Sequence, residues 1–303
     1  MRILFENVNP SSTSGPNYFG SKLIKYLESY NCKIDVQDIG KHDVHVAFIE
    51  STTRNSKPLI QRLDGIYFNA NFNCDRMNSN IRRTYERSSG VIFQTEFNRD
   101  LCFSWFGKHN NYTIIRNGAD RHHISTVTDQ WQELDKYENV WACASNWHVF
   151  KRLDDNIRYF KEHASSKDCL VIAGSNINTL EADPRIIFVG NLDIDRLISL
   201  YKKAKYFIHL AYLDHCPNVV VDASACGCIV ICSSSGGTQE VAGDSAIVIE
   251  EPQWDFSFIK EMIPPPLDFS RKRKIKNIAD IDYDNCMQKT AKKYYKFIKK
   301  VIK

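Results

Sequence analysis

The spacing of apolar and polar residues alternates between two periods along the first part of the chain. Apolar runs at 2–8, 91–95 and 112–117 predict buried strands, whereas the apolar positions of 18–30 recur at the spacing of an amphipathic helix. Strands and helices that alternate in this way are typical of a parallel, doubly wound sheet. The same patterns predict further strands at 33–39, 44–50 and 59–69 and further helices at 81–89 and 96–107.

The alternation stops in a polar stretch at 119–139, a candidate linker, and then begins again. Two series of alternating strands and helices, similar in size, predict an α/β chain in which two Rossmann-like parallel-sheet domains face a cleft. We therefore expect an N-terminal domain at 1–125, a C-terminal domain at 126–282 and a basic helix at 283–303. The second set consists of strands at 140–145, 170–174, 186–190, 206–211, 229–234 and 246–250 and helices at 152–163, 193–204 and after Pro217.

The composition is that of a globular protein in a reducing compartment. Hydrophobic residues make up 43% of the 303 positions and charged residues 25%, and no apolar run approaches the roughly 18 residues that cross a bilayer. Ten cysteines are scattered, mostly within apolar runs, whereas a secreted disulfide framework belongs to shorter, loop-rich chains. Buried thiols and a cytoplasmic location are therefore expected.

The net charge of +4 hides a strong asymmetry between the C-terminal segment and the rest of the chain. Residues 271–303 contain 12 Lys or Arg and three Asp, so this segment carries +9 and the preceding residues carry −5. A basic helix of this kind can bind an anionic lipid surface or nucleic acid. It can also pack its Tyr, Phe and Ile face on the protein and leave its lysines in water, which we expect here.

Ligands of open parallel sheets bind beyond the carboxyl ends of the strands, where loops meet helix N-termini, and four loops qualify. The first, 9–20, contains Gly15, which allows close approach of a ligand, but it has neither a Walker motif nor a complete dinucleotide fingerprint. An ordinary turn explains this loop equally well. The second loop, 145–156, places Lys151 and Arg152 just after a buried strand, and two cations there suit a diphosphate.

The third loop begins the stretch 213–227 and leads into a helix of small residues. Pro217 is well placed as the first helical residue, and the preceding Cys216 is a poor cap. The backbone N–H groups of Asn218, Val219 and Val220 are therefore expected to lack a protein acceptor. Such a helix end attracts a phosphate or a sugar hydroxyl.

Two acids of this loop and helix are expected to meet different parts of a ligand. Asp222 shares a helix face with Asn218, four residues before it, whereas Asp214 precedes the helix. A carboxylate pair that shares one proton is therefore not expected. A zinc site is disfavoured, because a Cys-x-Cys spacing that leads into a buried strand gives poor geometry; its candidate ligands are His215, Cys216, Cys226 and Cys228.

The fourth loop, 233–244, places two glycines after a buried strand. Thr238 is a candidate cap for a short helix that contains Glu240. The glycines favour a ligand-facing role for this loop over a plain turn. His209, within a predicted strand, is expected to be a core residue with satisfied polar atoms.

With these loops in order, the sequence resembles the retaining glycosyltransferases of family 4, which have the GT-B fold. The resemblance is most specific across 186–250, which is similar to the nucleotide-sugar half of that family. The family's two glutamates, separated by seven residues, match Asp214 and Asp222, each one methylene shorter. Weaker similarity to the acceptor half and its crossover is found at 61–69, 90–101 and 112–120.

The resemblance implies a donor site for a UDP- or GDP-sugar in the C-terminal half, with no other cofactor and no metal. Lys151 falls at the family's diphosphate lysine, and Asn146 stands where the family has an arginine. Asp214 and Lys151 are the residues implied in catalysis, while Asp222 would hold the ribose hydroxyls and Asn191 would lie near the base. The diphosphate and the sugar would be held by Gly15, Asn146, Lys151, Arg152, Asp214, Pro217, Asn218 and Val219.

The expected function is transfer of the sugar to an acceptor hydroxyl with retention of anomeric configuration. The acceptor is left open among a glycan, a lipid-linked sugar and modified nucleic acid, and the basic helix offers a peripheral membrane contact. Two alternatives remain: a nucleotide-sugar-binding protein without catalysis, and a GT-B epimerase or phosphorylase.

In the GT-B fold the last helix commonly returns to the first domain, which favours packing of 283–303 on 1–125.

Overall fold

The computed structural model describes residues 1–12, 14–54, 56–179, 181–274 and 285–303. The chain divides into two compact units. The first comprises Met1–Gly118, Asp255–Met262 and the C-terminal helix, and the second comprises Ala119–Trp254 with the stretch that begins at Ile263. This division falls seven residues before the boundary expected at 125/126, and the boundary expected at 282/283 lies outside the described residues.

The first unit is built on a six-stranded sheet with the strand order β2-β1-β3-β4-β5-β6, in which every neighbouring pair is parallel. Its central strands are buried along their whole length, as expected where helices cover both faces of a parallel sheet. The elements are β1 Arg2–Glu6, α1 Gly15–Glu28, β2 Lys33–Asp35, β3 Val44–Phe48, β4 Leu59–Leu63, α2 Cys74–Arg87, β5 Gly90–Phe93, α3 Glu96–Phe106 and β6 Tyr112–Ile114.

The C-terminal helix, Met287–Val301 (α8 in chain order), packs on α1 of the first unit. Its apolar side chains share a core with Phe19 and Leu23 of α1. Tyr294 of α8 accepts a hydrogen bond of 3.0 Å from Nε of the fully buried Arg62, whose guanidinium also lies over the Phe19 ring. The apolar face of this helix is thus used for packing, and the helix begins four residues later than expected.

The second unit is built on a seven-stranded sheet with the order β13-β12-β11-β10-β7-β8-β9. All pairs are parallel except β12 with the edge strand β13. The elements are α4 Arg121–Thr126, β7 Val140–Asn146, α5 Leu153–His163, β8 Cys169–Ser175, β9 Ile186–Gly190, α6 Ile194–Lys203, β10 Tyr206–His209, α7 Asn218–Ala225, β11 Ile229–Ser233, β12 Ile247–Ile249 and β13 Lys272–Lys274, with short 3₁₀ helices at Gln132–Leu134, Val149–Lys151 and Thr238–Glu240.

Both faces of this second sheet are covered by apolar layers. Along β7, Val140, Ala142 and Ala144 face one buried cluster, whereas Trp141 and Cys143 face the other. This alternation is the period of two that a strand imposes on its side chains. The carboxyl ends of the strands, where the polar loops lie, are therefore held by a core on each side.

The polar stretch 119–139 is part of the second unit rather than an exposed linker. It contains α4 and a 3₁₀ helix, and Trp131 and Leu134 are each only 2% exposed in one of the two clusters. The indole Nε1 of Trp131 donates a 3.0 Å hydrogen bond to the Arg196 carbonyl of α6. The linker prediction was wrong because a few widely spaced apolar residues do the packing in an otherwise polar segment.

The segment Asp255–Met262 joins the first unit although it follows the second along the chain. Ile259 forms a parallel bridge with Asn69; its N–H donates to the carbonyl of Phe68, and its carbonyl accepts from the N–H of Ala70.

All ten cysteines lie in the described residues, and none forms a disulfide. In the described parts of the chain, no helix combines the length and apolar character that a membrane span requires.

Candidate functional site

Two residues of opposite charge meet at the carboxyl edge of the second sheet. Lys151 lies in the 3₁₀ helix that follows β7, and Asp214 lies in the loop that follows β10, the neighbouring strand. The Lys151 ammonium contacts Oδ2 of the Asp214 carboxylate, and the two side chains are 17% and 15% exposed. The parallel sheet thus brings together two predicted site residues that are 63 positions apart.

A third side chain, His209, shares the same carboxylate oxygen. His209 ends β10 and is only 3% exposed, and its Nε2 lies 3.0 Å from Oδ2 of Asp214. Within the described residues, Oδ1 of Asp214 receives no hydrogen bond. Both protein partners therefore hold one oxygen of this carboxylate, and the other has no protein donor in the described part of the chain.

The electrostatics of the cluster keep the carboxylate ionised. Burial by itself would raise the pKa of Asp214, but the charge of Lys151 and the hydrogen bond from His209 together hold that pKa far below its ordinary value. Burial lowers the pKa of His209 despite the neighbouring carboxylate. Near neutral pH the cluster consequently contains a charged Asp214 and a neutral His209, and because an ionised carboxylate only accepts, Nε2 of His209 must donate.

The fourth loop braces the backbone of Asp214. Gly237 N–H donates a 2.7 Å hydrogen bond to the Asp214 carbonyl, and Leu213 N–H donates to Oγ of Ser235 at 3.3 Å. Leu213 itself has a left-handed backbone with φ of 56°. The two glycines, Gly236 and Gly237, thus pack against the loop that carries Asp214.

The short helix of the fourth loop begins at Thr238, and the residue before it is Gly237. The predicted cap was wrong, and Thr238 is the first residue of that helix.

Gly236→Ala is expected to destabilise this brace. Gly236 has φ of 76°, and an added Cβ would lie 2.5 Å from the Asp214 carbonyl oxygen, so both strain and a backbone clash arise. Gly227→Ala is the matched control, because Gly227 also has positive φ, at 98°, but nothing within 4 Å of its Cβ position. Thermal denaturation should show a clearly larger loss of stability for Gly236→Ala than for Gly227→Ala. Equal losses would contradict the close packing described here.

Arg152, predicted to bind a diphosphate beside Lys151, is directed elsewhere. Its backbone is left-handed, with φ of 54°, and its guanidinium donates to both carboxylate oxygens of Glu251 at 2.9 and 2.6 Å. It also donates to the carbonyls of Leu210 and Pro265 at 3.2 and 2.8 Å. Both side chains of this ion pair are 2% exposed. The guanidinium is therefore engaged inside the unit and ties the segment after β10 to the end of the sheet.

Glu251 extends the same network toward the fourth loop. Oγ of Ser233 donates to Glu251, and the hydroxyls of Ser233 and Ser235 are 2.6 Å apart. Ser235 in turn accepts from the backbone N–H of Leu213. One connected set of buried polar groups thus runs from Arg152 to the residue before Asp214 and fixes the loop that carries the acid.

The helix α7 begins one residue later than predicted. Pro217 has an extended backbone and precedes the helix, and it provides no side-chain cap. Its carbonyl accepts from the N–H groups of Val220 and Val221 at 3.1 and 3.2 Å, so the prediction that Val220 lacks an acceptor was wrong. The N–H of Val219 has no acceptor in the described part of the chain. The end of α7 therefore keeps part of the expected anion-binding character.

The remaining predicted residues occupy separate positions. Asp222 lies on α7, one turn after Asn218, and is 3% exposed. Asn146 ends β7, where its Oδ1 accepts from Oγ of Ser175 and Nδ2 of Asn176 at 2.9 and 2.6 Å. Asn191 is exposed just after β9. Gly15 is the first residue of α1 and belongs to the first unit.

The candidate zinc ligands do not form a metal-binding group. Across the described residues, no set of three or more His, Cys, Asp or Glu side chains is placed to hold a metal ion. Burial lowers the pKa of His215 to about 4 and raises the pKa of Cys226 to about 12. Cys228 donates from Sγ to the carbonyl of Tyr201.

A family comparison matches the part of the chain that contains the cluster. Residues 138–257 match the model of the family described as Glycosyl transferases group 1. The matched stretch contains Lys151, His209, Asp214 and α7. Comparison with curated protein sequences returns no significant match.

Solved structures with the same fold include three that cover most of the chain. HepE of Anabaena, in complex with UDP-glucose, is 16% identical with a TM-score of 0.59, and the alignment covers 79% of this chain and 82% of that one. Sucrose-phosphate synthase from Thermosynechococcus elongatus is 13% identical, with a TM-score of 0.65 and coverage of 82% and 86%. AviGT4, a glycosyltransferase involved in avilamycin A biosynthesis, is 10% identical, with a TM-score of 0.63 and coverage of 100% and 98%.

At these levels of identity the comparisons establish the fold. The chain has the GT-B fold, with a Rossmann-like parallel sheet in each unit, and the predicted fold class is confirmed. The order of the elements therefore places the cluster at the carboxyl edge of the second sheet, where open parallel sheets bind their ligands.

Proposed function

We propose that this protein is a retaining glycosyltransferase that transfers a sugar from a UDP- or GDP-sugar to an acceptor hydroxyl without a metal ion. The observation that carries the proposal is the Lys151–Asp214 pair, in which Asp214 lies shortly before α7, a helix that has no side-chain cap. This pair lies in the stretch that matches the glycosyltransferase family. HepE, which has the same fold, binds UDP-glucose, and this supports the donor class.

The proposed donor site uses each residue according to its chemistry. Lys151 and the N-terminal end of α7 stabilise the charge that develops on the departing nucleoside diphosphate. Asp214 accepts a hydrogen bond from a hydroxyl of the transferred sugar through Oδ1. Asp222 holds the ribose hydroxyls, with Asn191 near the base. Asn146, Pro217, Asn218 and Val219 complete the contacts, whereas Arg152 supports the site through Glu251.

In the proposed reaction, the bond between the anomeric carbon and the diphosphate oxygen breaks. A bond to the acceptor oxygen forms on the same face of the sugar, and the acceptor proton departs with the diphosphate. Asp214 is a poor nucleophile and a poor base, because Lys151 and His209 stabilise its charge. It is better suited to bind a hydroxyl, and we assign no general base.

A nucleotide-release assay with a panel of UDP- and GDP-sugars tests the proposal. We expect one donor to release its nucleotide slowly with water and faster with a suitable acceptor, and the product to retain the anomeric configuration. Addition of EDTA should leave the rate unchanged. Donor binding without release, even with acceptors present, would favour a nucleotide-sugar-binding protein. Conversion of the donor without an acceptor, or phosphate-dependent cleavage of a glycan, would favour an epimerase or a phosphorylase.

We propose that the protein acts in the cytoplasm. Its acceptor is proposed to be a glycan, a lipid-linked sugar or a modified nucleic acid. The surface of α8 is compatible with the second and the third, because it exposes only basic charge and its apolar side chains are used for packing on α1. Purely electrostatic contact with an anionic membrane is expected from such a surface. The exposed lysines at this end of the chain are Lys289, Lys292, Lys293, Lys296, Lys299, Lys300 and Lys303.

Co-sedimentation with vesicles tests the membrane contact. We expect binding to vesicles that contain phosphatidylglycerol, no binding to neutral vesicles and loss of binding at high salt. Salt-resistant binding to DNA, without binding to these vesicles, would indicate a nucleic-acid acceptor instead. No binding to either at low salt would contradict both.

A further inference from the structure

Lys151 has one observed partner, Asp214, and one proposed partner, the donor diphosphate, and the two compete for its ammonium. Its ammonium contacts Oδ2 of Asp214 in the structure, and the proposed function assigns the same ammonium to the donor diphosphate. A diphosphate has more negative charge than a single carboxylate and attracts a compact cation strongly. When Lys151 turns toward the diphosphate, Asp214 needs another anchor to keep its orientation.

His209 has the position and the rigidity that this anchor requires. It ends β10, which is hydrogen-bonded to β7 on one side and β11 on the other. Its ring lies parallel to that of Phe207, with centroids 6.4 Å apart, and its side chain is 3% exposed. Unlike a lysine side chain, a ring packed at the end of a central strand cannot follow an incoming ligand. Its contact of 3.0 Å with Oδ2 of Asp214 involves no atom of Lys151.

We infer that His209 is a positioning residue whose Nε2–H holds Oδ2 of Asp214, so that Oδ1 remains available to the sugar when Lys151 engages the diphosphate. This inference rests on the proposed function. His209 itself touches no substrate. Its contribution is to the orientation of the carboxylate, which is needed for sugar transfer and not for binding of the nucleotide.

The alternative is a histidine that serves only to fill the core. The geometry disfavours it, because the polar tip of the ring meets an ionised carboxylate in the candidate site, not a backbone group of the core. The two alternatives predict different effects of substitution. A core-filling residue affects folding stability alone, whereas a positioning residue affects the turnover of protein that is fully folded.

The kinetic test compares His209→Leu with His209→Gln, because Gln retains an N–H donor near the position of Nε2 and Leu does not. For the donor that wild-type protein uses fastest, we expect kcat of His209→Leu to fall about 10- to 100-fold, as for loss of a hydrogen bond to a charged group. Calorimetric affinity for UDP or GDP should change less than twofold. His209→Gln should recover most of kcat. Retention of kcat by folded His209→Leu, or equal losses in both variants, would overturn the inference.

A second measurement needs no donor. In the ¹⁵N spectrum of histidine-labelled protein, His209 is expected as the neutral Nε2–H tautomer, with a resonance that shifts in Asp214→Asn and persists in Lys151→Met. An Nδ1–H tautomer, or a resonance that disappears with Lys151, would overturn the inference. Absence of turnover with every donor would contradict the proposed function, while this spectrum would still decide whether His209 anchors Asp214.

Discussion

Lys151→Met is expected to lower kcat for nucleotide release by about 10²- to 10³-fold, the usual cost of removing one group that stabilises developing charge. Two effects combine in this variant: the leaving diphosphate loses its nearest proposed cation, and Asp214 loses the partner that balances its charge. The methionine side chain preserves the length and most of the apolar stem. Steady-state nucleotide release at saturating donor measures the effect.

Lys161→Met is the matched control for this substitution. Lys161 belongs to the same unit and pairs with Glu181 at 2.7 Å, but its side chain is 42% exposed and lies on α5. We expect the control to retain the wild-type rate, since exposed ion pairs contribute little. A Lys151→Met rate within threefold of wild type would show that Lys151 does not contribute to catalysis.

Glu251→Leu is expected to lower the free energy of unfolding by about 3–5 kcal/mol, because it leaves the guanidinium of Arg152 buried without its counter-charge. The double variant Arg152→Met/Glu251→Leu should recover much of this loss, since both buried charges are then absent. Urea unfolding of the single and double variants, followed by circular dichroism, measures the difference. Glu162→Leu, which breaks an exposed pair with Arg158 on α5, should change the value by no more than about 0.5 kcal/mol.

A different outcome would change the role given to Arg152. If Glu251→Leu were as stable as the exposed control and bound nucleotide more tightly, the guanidinium would be available to a diphosphate, as the sequence suggested. The structure predicts the opposite, because four hydrogen bonds hold that guanidinium inside the unit.

The two sheets could be predicted from the sequence because buried parallel strands have a strong local signature. Each strand of the second unit from β7 to β12 is a short apolar run, and such runs are read directly from the printed residues. β13 was not predicted, since its residues, Lys272–Lys274, are all charged. Charged residues are common on edge strands, where they discourage pairing with other chains, but no periodicity marks them.

The pairing of Lys151 with Asp214 could be anticipated only in part. Both follow buried strands, which places them at one edge of a parallel sheet, but the order of the strands decides whether they meet. His209 was interpreted as a core residue, because nothing local distinguishes it from other strand residues. The one available signal was its position at the end of a strand, five residues before an acid.

Arg152 could not be interpreted from its neighbour in the sequence. Lys151 and Arg152 are adjacent, and in a regular helix their side chains would diverge by a fixed angle. Here a left-handed residue joins a 3₁₀ helix to α5, so the two cations diverge completely and Arg152 meets Glu251, 99 residues later in the chain. Such a partner depends on long-range packing, which single-sequence patterns do not contain.

We propose that the edge of the second sheet around α7 binds a nucleotide sugar. Calorimetric titration of the protein with UDP, GDP and their sugar derivatives measures this binding, with Asp222→Asn titrated in parallel. We predict saturable binding of one nucleotide and its sugar by the wild-type protein, and affinities about 10- to 100-fold weaker for folded Asp222→Asn, because a neutral amide replaces the charged acceptor. Absence of binding by wild-type protein, or equal affinities for the two proteins, would show that this edge of the sheet is not the nucleotide-sugar site.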